Sequence, residues 1–216
     1  MTQSILVINP NSTVAVTDGI DAALEPLRMS GGPAIKCATL KEGPPAIETQ
    51  EHVSAVIEPL CERMGSDTAN AFVIACYSDP GLSAARTRNT KPVFGMAECG
   101  MLTALTRGGN FGVISILPAA VERHVRYVES LGLTSRLAAD LPVGLGVLEL
   151  KHDAIAWPRL VTVGETLRDE HGAASVLLGC AGMAPYRSRL EHELGVPVID
   201  PTVAAVTMAI GAVRVN

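Results

Sequence analysis

The sequence is poor in aromatic residues and in charge, and its cysteines show no pattern of cross-linking. Aromatics are 3% of the 216 residues, so the core of a chain that is 48% hydrophobic must come from Val, Ile, Leu and Ala. That palette suits buried parallel strands covered by Ala-rich helices. Charged residues are 18%, with a formal net charge of −5. This leaves no basic footprint for nucleic acid or an anionic membrane surface. No apolar run reaches the ~18 residues of a membrane span. The opening MTQSILVINP lacks the basic region and small-residue cleavage site of a secretory signal, so a cytoplasmic protein is expected. The five cysteines, Cys37, Cys61, Cys76, Cys99 and Cys180, form no CxxC pair and have no histidine at metal-ligand spacing. An odd count argues against a disulfide framework, and the spacing argues against zinc. There is no P-loop, and Gly144-Leu145-Gly146 lacks the third glycine and following helix of a dinucleotide fingerprint. Neither metal nor cofactor is expected.

What is present alternates between strand and helix signals. SILVI (4–8) is a short apolar run ending in NPNST, and apolar spacing from Val14 to Met29 predicts a helix. AIKCATL (34–40) predicts a strand, EGPPA a loop and ETQEHVSAVIEPLCERM a helix. AFVIAC (71–76) and PVFGM (92–96) predict strands on either side of a helical PGLSAARTRN, with a short helix over ECGMLTALTRG. The second half repeats the order. NFGVISI (110–116), VLLGC (176–180) and GVPVIDP (195–201) read as strands. Helical stretches run from Pro118 to Leu131, through AGMAPYRSRLEHELG after a turn, and on to about Val213. This is the pattern of an α/β fold made of βαβ units. Val7 and Val113 are 106 residues apart, Cys76 and Cys180 104, Pro92 and Pro197 105. Three anchors in one order at nearly one offset favour a duplicated α/β unit.

The repeat singles out two cysteines. Ligands of open parallel sheets bind beyond the carboxyl ends of the strands, and Cys76 and Cys180 each end a strand there. Each is followed by a polar turn, YSDPG or AGMAP. Pro80 and Pro185 suit the first turn of a helix, with Ser78 or Asp79 as an N-cap. Unpaired N–H groups at a helix start favour a nearby thiolate and can hold a developing enolate oxygen. Two acid/base groups on opposite faces of one carbon would make a stereochemical inverter. The plainer reading is that both are core thiols that happen to end strands. Asn11 and Ser12 either offer amide and hydroxyl to a ligand or cap a helix, and Ser78 and Asp79 carry the same two readings. Glu98 and Cys99 read as cap and packing, and Cys37 and Cys61 as structural thiols. His52, His124, His152, His171 and His192 read as solvated surface.

INPNST (8–13), ACYSDPGL (75–82) and LGCAGM (178–183) followed by GVPVID (195–200) resemble the hydantoin racemase branch of the Asp/Glu/hydantoin racemase superfamily. GPPAIE (43–48), AAR (84–86) and PVFGMAE (92–98) also fit, so the resemblance spans nearly the whole chain. It implies two Rossmann-like lobes related by internal pseudo-symmetry, each a parallel sheet flanked by helices, with the active site in the cleft between them. The lobes are expected over 1–98 and 99–200, with the last helix, 201–216, packing on the first. It implies cofactor-independent racemisation of a small molecule by two cysteines, which map onto Cys76 and Cys180, and a homo-oligomer. Substrate contacts are expected from Asn11, Ser12, Tyr77, Ser78, Asp79, Ser115, Ala181 and Gly182. Tyr77-Ser78 stands where glutamate and aspartate racemases tend to carry Asn-Thr, which speaks against a free amino acid. Arylmalonate decarboxylases keep only the second-half cysteine, whereas maleate isomerases also use two. Two segments depart from the hydantoin pattern. FGVISIL leaves Ser115 and Ile116 where many relatives show paired threonines, and LPVGLGVLELKHD (141–153) fits poorly.

The expected function is racemisation of a five-membered cyclic ureide, a hydantoin or allantoin. The α-proton of such a ring is more acidic than that of an amino acid carboxylate, and a neutral ring needs no arginine clamp. Amino acid racemisation and cis–trans isomerisation of maleate are the alternatives within the superfamily. A two-lobed small-molecule binding protein without catalysis is the alternative of another class. The paired thiols and the lack of an export signal count against it.

Overall fold

A computed structural model describes residues 3–215. The chain forms two compact units. One runs through Cys99 and resumes at Thr202, and the other is Gly100–Pro201. In the first unit β1 (Ser4–Asn9) and β3 (Ala71–Ile74) are the central strands, flanked by β2 (Ala34–Thr39) and β4 (Val93–Gly95) in the order β2-β1-β3-β4. In the second, β5 (Asn110–Ser115) and β7 (Ala173–Leu178) are central, between β6 (Leu137–Pro142) and β8 (Val198–Ile199), in the order β6-β5-β7-β8. Every pairing is parallel. Rank for rank, the two sheets have one topology.

Parallel strands need crossovers, and helices supply them. They are α1 (Val14–Ala23), α2 (Gln50–Ala55) with α3 (Ile57–Gly65), and α4 (Leu82–Arg88) in the first unit, then α6 (Pro118–Ser130), α7 (Asp153–Asp169) and α8 (Arg187–Leu194) in the second. The chain leaves the first unit within α5 (Met96–Leu105) and returns to it at the start of α9 (Pro201–Val215). The central strands are apolar without alternation. Ile5, Leu6, Val7 and Ile8 of β1 and all of β3 are buried, as expected where both sheet faces are covered.

Several sequence expectations are corrected in detail. The first helix stops at Ala23, and Glu25–Leu27 continue as a 3-10 turn, because Pro26 has no N–H to extend an α-helix. The predicted single helix before β3 breaks at Val56 into α2 and α3. Pro59 cannot bond to the Ala55 carbonyl, and its ring crowds that oxygen. Two elements carried no sequence signal. LAADLP forms the edge strand β6 although it lacks β-branched residues, and α7 runs through Pro158. The N-cap of α4 is Gly81, at φ +69, rather than Ser78 or Asp79. Pro185 lies inside a 3-10 turn, Ala181–Tyr186, that precedes α8. His124 is buried, not solvated.

With so few aromatics, the two buried phenylalanines matter. Phe72 on β3 and Phe111 on β5 are among the largest fully buried side chains. Phe72→Ala is expected to cost about 3–5 kcal/mol, read as a lower urea midpoint for unfolding.

Candidate active site

Both cysteines emerge from the sheets by the same backbone geometry. The β1–β3 ladder ends at Ile8 and Ile74, and the next residue, Ala75, donates its N–H to the Ile8 carbonyl at 2.9 Å. The β5–β7 ladder ends at Ile114 and Leu178, and Gly179 donates to the Ile114 carbonyl at 2.8 Å. A Cβ on Gly179 would stand 2.6 Å from that oxygen, so this close approach requires glycine. Cys76 and Cys180 come next in each case. Each cysteine carbonyl accepts from the N–H three residues on, Asp79 at 2.9 Å and Met183 at 3.0 Å. The N–H groups of Ser78, Ala181 and Gly182 donate to no group among the described residues. Each cysteine is therefore followed within two residues by a backbone N–H with no such acceptor.

Among the described residues no cysteine is in a disulfide, and three of the thiols are raised above their ordinary pKa. Burial pushes the Cys37 thiol up to about 12, with the Asp21 carboxylate adding to the effect. Burial, then the carboxylates of Asp79 and Glu98, push Cys99 up to about 12 as well. Burial also raises Cys61. Cys76 is half-buried against the core of the first unit, and Cys180 is 9% exposed.

In the first unit the motifs read from the sequence hold one another. Asn9, at the end of β1, is buried and donates to Asn11 Oδ1 at 2.9 Å and to Thr17 Oγ1 at 3.0 Å. Asn11 Oδ1 also accepts from Thr13 N at 2.9 Å, an Asx turn that directs its amide nitrogen away from these partners. The loop is tied to GPPAIE, since Ser12 N donates to the Pro44 carbonyl at 3.0 Å and Thr13 Oγ1 to the Pro45 carbonyl at 2.7 Å. Tyr77 is buried and Ser78 half-buried. Asp79 is 5% exposed, and its two carboxylate oxygens accept from Ala97 N and Glu98 N, each at 2.9 Å. It caps α5, the helix after next. Arg86 explains AAR: its guanidinium binds the Val93 carbonyl at 3.0 Å and forks onto Glu98 at 2.6 and 3.3 Å.

In the second unit Ser115 takes the strand-end place that Asn9 holds in the first. It is fully buried, donates to Asp140 Oδ1, and lies 2.9 Å from His124 Nδ1. The same ring nitrogen is 3.0 Å from Asp140 Oδ2. A hydrolytic triad needs hydroxyl and carboxylate on opposite ring nitrogens. Here both face Nδ1, so the cluster is no nucleophilic triad. Asp140 comes from β6, an element without a sequence signal, which is why the sequence alone does not reveal the cluster. The 141–153 segment is also accounted for. Val143 N donates to the Ser115 carbonyl at 2.9 Å, and the Leu150 carbonyl accepts from Tyr186 Oη at 2.7 Å. A Cβ on Gly182 would lie 3.6 Å from Cys180 Sγ and 3.3 Å from Leu150 Cδ1. Leu150 thus walls the turn that carries Cys180. Among the described residues, no three His, Cys, Asp or Glu side chains are grouped as metal ligands, and no helix is long and apolar enough to cross a membrane.

Comparison with known proteins finds relatives over nearly the whole chain. A family model described as Asp/Glu/Hydantoin racemase matches residues 5–209. A hydantoin racemase of Pseudomonas sp. (strain NS671) is 39% identical over 210 residues, 95% of this chain and 84% of that protein. A hydantoin racemase of Paenarthrobacter aurescens is 35% identical over 212 residues, 95% of this chain and 89% of that one. The solved structure of an allantoin racemase from Klebsiella pneumoniae superposes with a TM-score of 0.94 at 30% identity, covering 99% of this chain and 89% of that one.

Two outcomes follow from the buried groups. A thiol with a pKa near 12 is only about 10⁻⁴ thiolate at pH 8, so Cys37 and Cys99 should resist iodoacetamide in the folded protein until the pH approaches 12, as read by peptide mapping. Ser115→Ala removes the hydroxyl donor to Asp140 Oδ1 and is expected to cost about 1–3 kcal/mol, measured by urea denaturation.

Proposed function

Because the chain belongs to the Asp/Glu/hydantoin racemase family, we propose that it inverts the carbon alpha to a carbonyl in a 5-substituted hydantoin or allantoin, with Cys76 and Cys180 as the two acid/base groups. The observation that carries this reading is the equivalence of the two cysteines. Each is a cysteine outside any disulfide, two residues past the last paired residue of a central strand, with its carbonyl closing the same turn. The enzyme is an isomerase of the racemase type, and two bases in matched settings suit a reaction that must run from either enantiomer.

In the proposed cycle one cysteine, as thiolate, takes the α-proton. The C–H electron pair moves into the adjacent carbonyl and leaves a planar enolate. The other cysteine, as thiol, donates its proton to the opposite face. Thiolate and thiol have then exchanged places, ready for the reverse reaction. The N–H groups of Ser78, Ala181 and Gly182 are the proposed donors to the enolate oxygen, in keeping with the value of fixed backbone dipoles where charge develops. Asn11, Ser12 and Tyr77 are the proposed contacts to the ring. All are neutral, which suits a neutral ureide better than an amino acid, whose carboxylate would need a cation. The protein's own groups suffice for each proton transfer, so dialysis against a chelator is expected to leave the rate unchanged.

The test is enantiomer-resolved. Cys76→Ser and Cys180→Ser should each lose racemisation in both directions by ~10²–10⁴-fold, the usual cost of removing a positioned acid or base. In deuterium oxide each single mutant should still exchange the α-proton of one enantiomer, with configuration largely kept, and the two mutants should choose opposite enantiomers. Exchange of the same enantiomer by both, or full racemisation by either, would overturn the assignment.

A further inference from the structure

We propose that Asp79 is a positioning residue whose carboxylate ties the turn carrying Cys76 to the start of α5, and so sets where that sulfur stands without itself touching substrate. The inference rests on the two-thiol reading above.

Asp79 joins three features in one residue. Its N–H closes onto the Cys76 carbonyl at 2.9 Å, and its own carbonyl accepts from Leu82 N at 3.2 Å. Its backbone is at φ +41, and among the described residues no other non-glycine has a positive φ. Such a conformation is costly for a residue with a Cβ and persists only where the surroundings over-determine it. The side chain supplies that constraint. Its oxygens accept the N–H groups of Ala97 and Glu98, each at 2.9 Å, at the start of the ten-residue helix α5. A negative charge there is favoured by both the unpaired donors and the helix dipole.

The neighbourhood is built around this latch. A Cβ on Gly95 would come within 2.7 Å of Asp79 Oδ1 and closer still to the other oxygen, so only glycine leaves room for the carboxylate. Glu98 is held in turn by the Arg86 fork, which also grips the Val93 carbonyl. The turn after Cys180 is held differently. Met183 stands in the place of Asp79, and that turn continues into a 3-10 helix tied down through Tyr186 and Leu150. The two thiols are therefore supported by different means, and a change at Asp79 should be felt at one of them.

The test uses Asp79→Gly and Asp79→Asn. Glycine adopts a positive φ freely, so the first removes the carboxylate without adding strain. Asparagine tolerates the same backbone and keeps one acceptor oxygen, and it carries the same test if Asp79→Gly does not fold. In the ligand-free protein, iodoacetamide alkylation resolved by peptide should be several-fold faster at Cys76 in Asp79→Gly, because a loosened turn exposes the half-buried sulfur. Asp79→Asn should fall between it and the wild type, with Cys180 unchanged in both. With pure enantiomers of 5-methylhydantoin in deuterium oxide, the enantiomer that Cys180→Ser still exchanges should slow about 10²-fold in Asp79→Gly, the scale of a displacement near 1 Å. The other should stay within a few-fold of wild type. Equal changes at both thiols or both enantiomers would make Asp79 merely structural and overturn the proposal, as would wild-type reactivity of Cys76. A wild-type protein that exchanges neither enantiomer would instead refute the two-thiol reading, while the alkylation rates would still decide the role of Asp79.

Discussion

The last backbone hydrogen bond of each central strand pair governs everything downstream of it. In a parallel sheet all strands point one way, so every β–α turn of a unit opens at the same edge. Ala75 N on Ile8 O, and Gly179 N on Ile114 O, mark where the chain stops being sheet and becomes turn. The thiols follow at the next residue. This constraint is set by the backbone and does not depend on which apolar side chains fill the strands. It therefore survives in two halves that share few identities, and it delivers the same chemical group to the same place in both.

Around that shared geometry the supporting polar groups differ. Both units bury a strand-end residue hydrogen-bonded to a side chain of the following helix, and both add a neighbouring-strand group. In the first unit the set is Asn9, Thr17 and Thr39, in which the two threonine hydroxyls lie 2.6 Å apart. In the second it is Ser115, His124 and Asp140. Buried polar groups are tolerated when their partners are in place, and then they stiffen the structure. Here they stiffen the bases of the loops that flank each cysteine. The same logic applies to Asp79, whose strained backbone is held by two charge-assisted hydrogen bonds.

Desolvation raises three of the five thiols. Cys37 and Cys99 are held as neutral thiols, chiefly by desolvation and then by nearby carboxylates. A thiol that ionises less readily is a poorer source of thiolate near neutral pH. Five cysteines in one chain are thus compatible with two acid/base groups, because three of them sit where the thiolate is penalised.

The α/β class, most strands in their order along the chain, and the strand-end places of Cys76 and Cys180 are legible in the amino-acid order alone. These are local properties: apolar runs, the turn residues that end them, and spacing along the chain. The family motifs were equally local and marked the contiguous segments that make up each turn. Which distant segments complete those turns is settled only when the chain folds. Asp79 read as a cap for the helix immediately after it, yet its carboxylate caps α5, since φ +41 at Asp79 turns the side chain toward Ala97 and Glu98. His124 looked solvated because it lies on a charged helix, yet its face of α6 packs on β6, where Asp140 meets it. β6 itself was invisible, because LAADLP becomes a strand only through backbone bonds to β5. Hydrogen bonds between residues far apart in sequence leave no periodic trace, so only the folded chain reveals them.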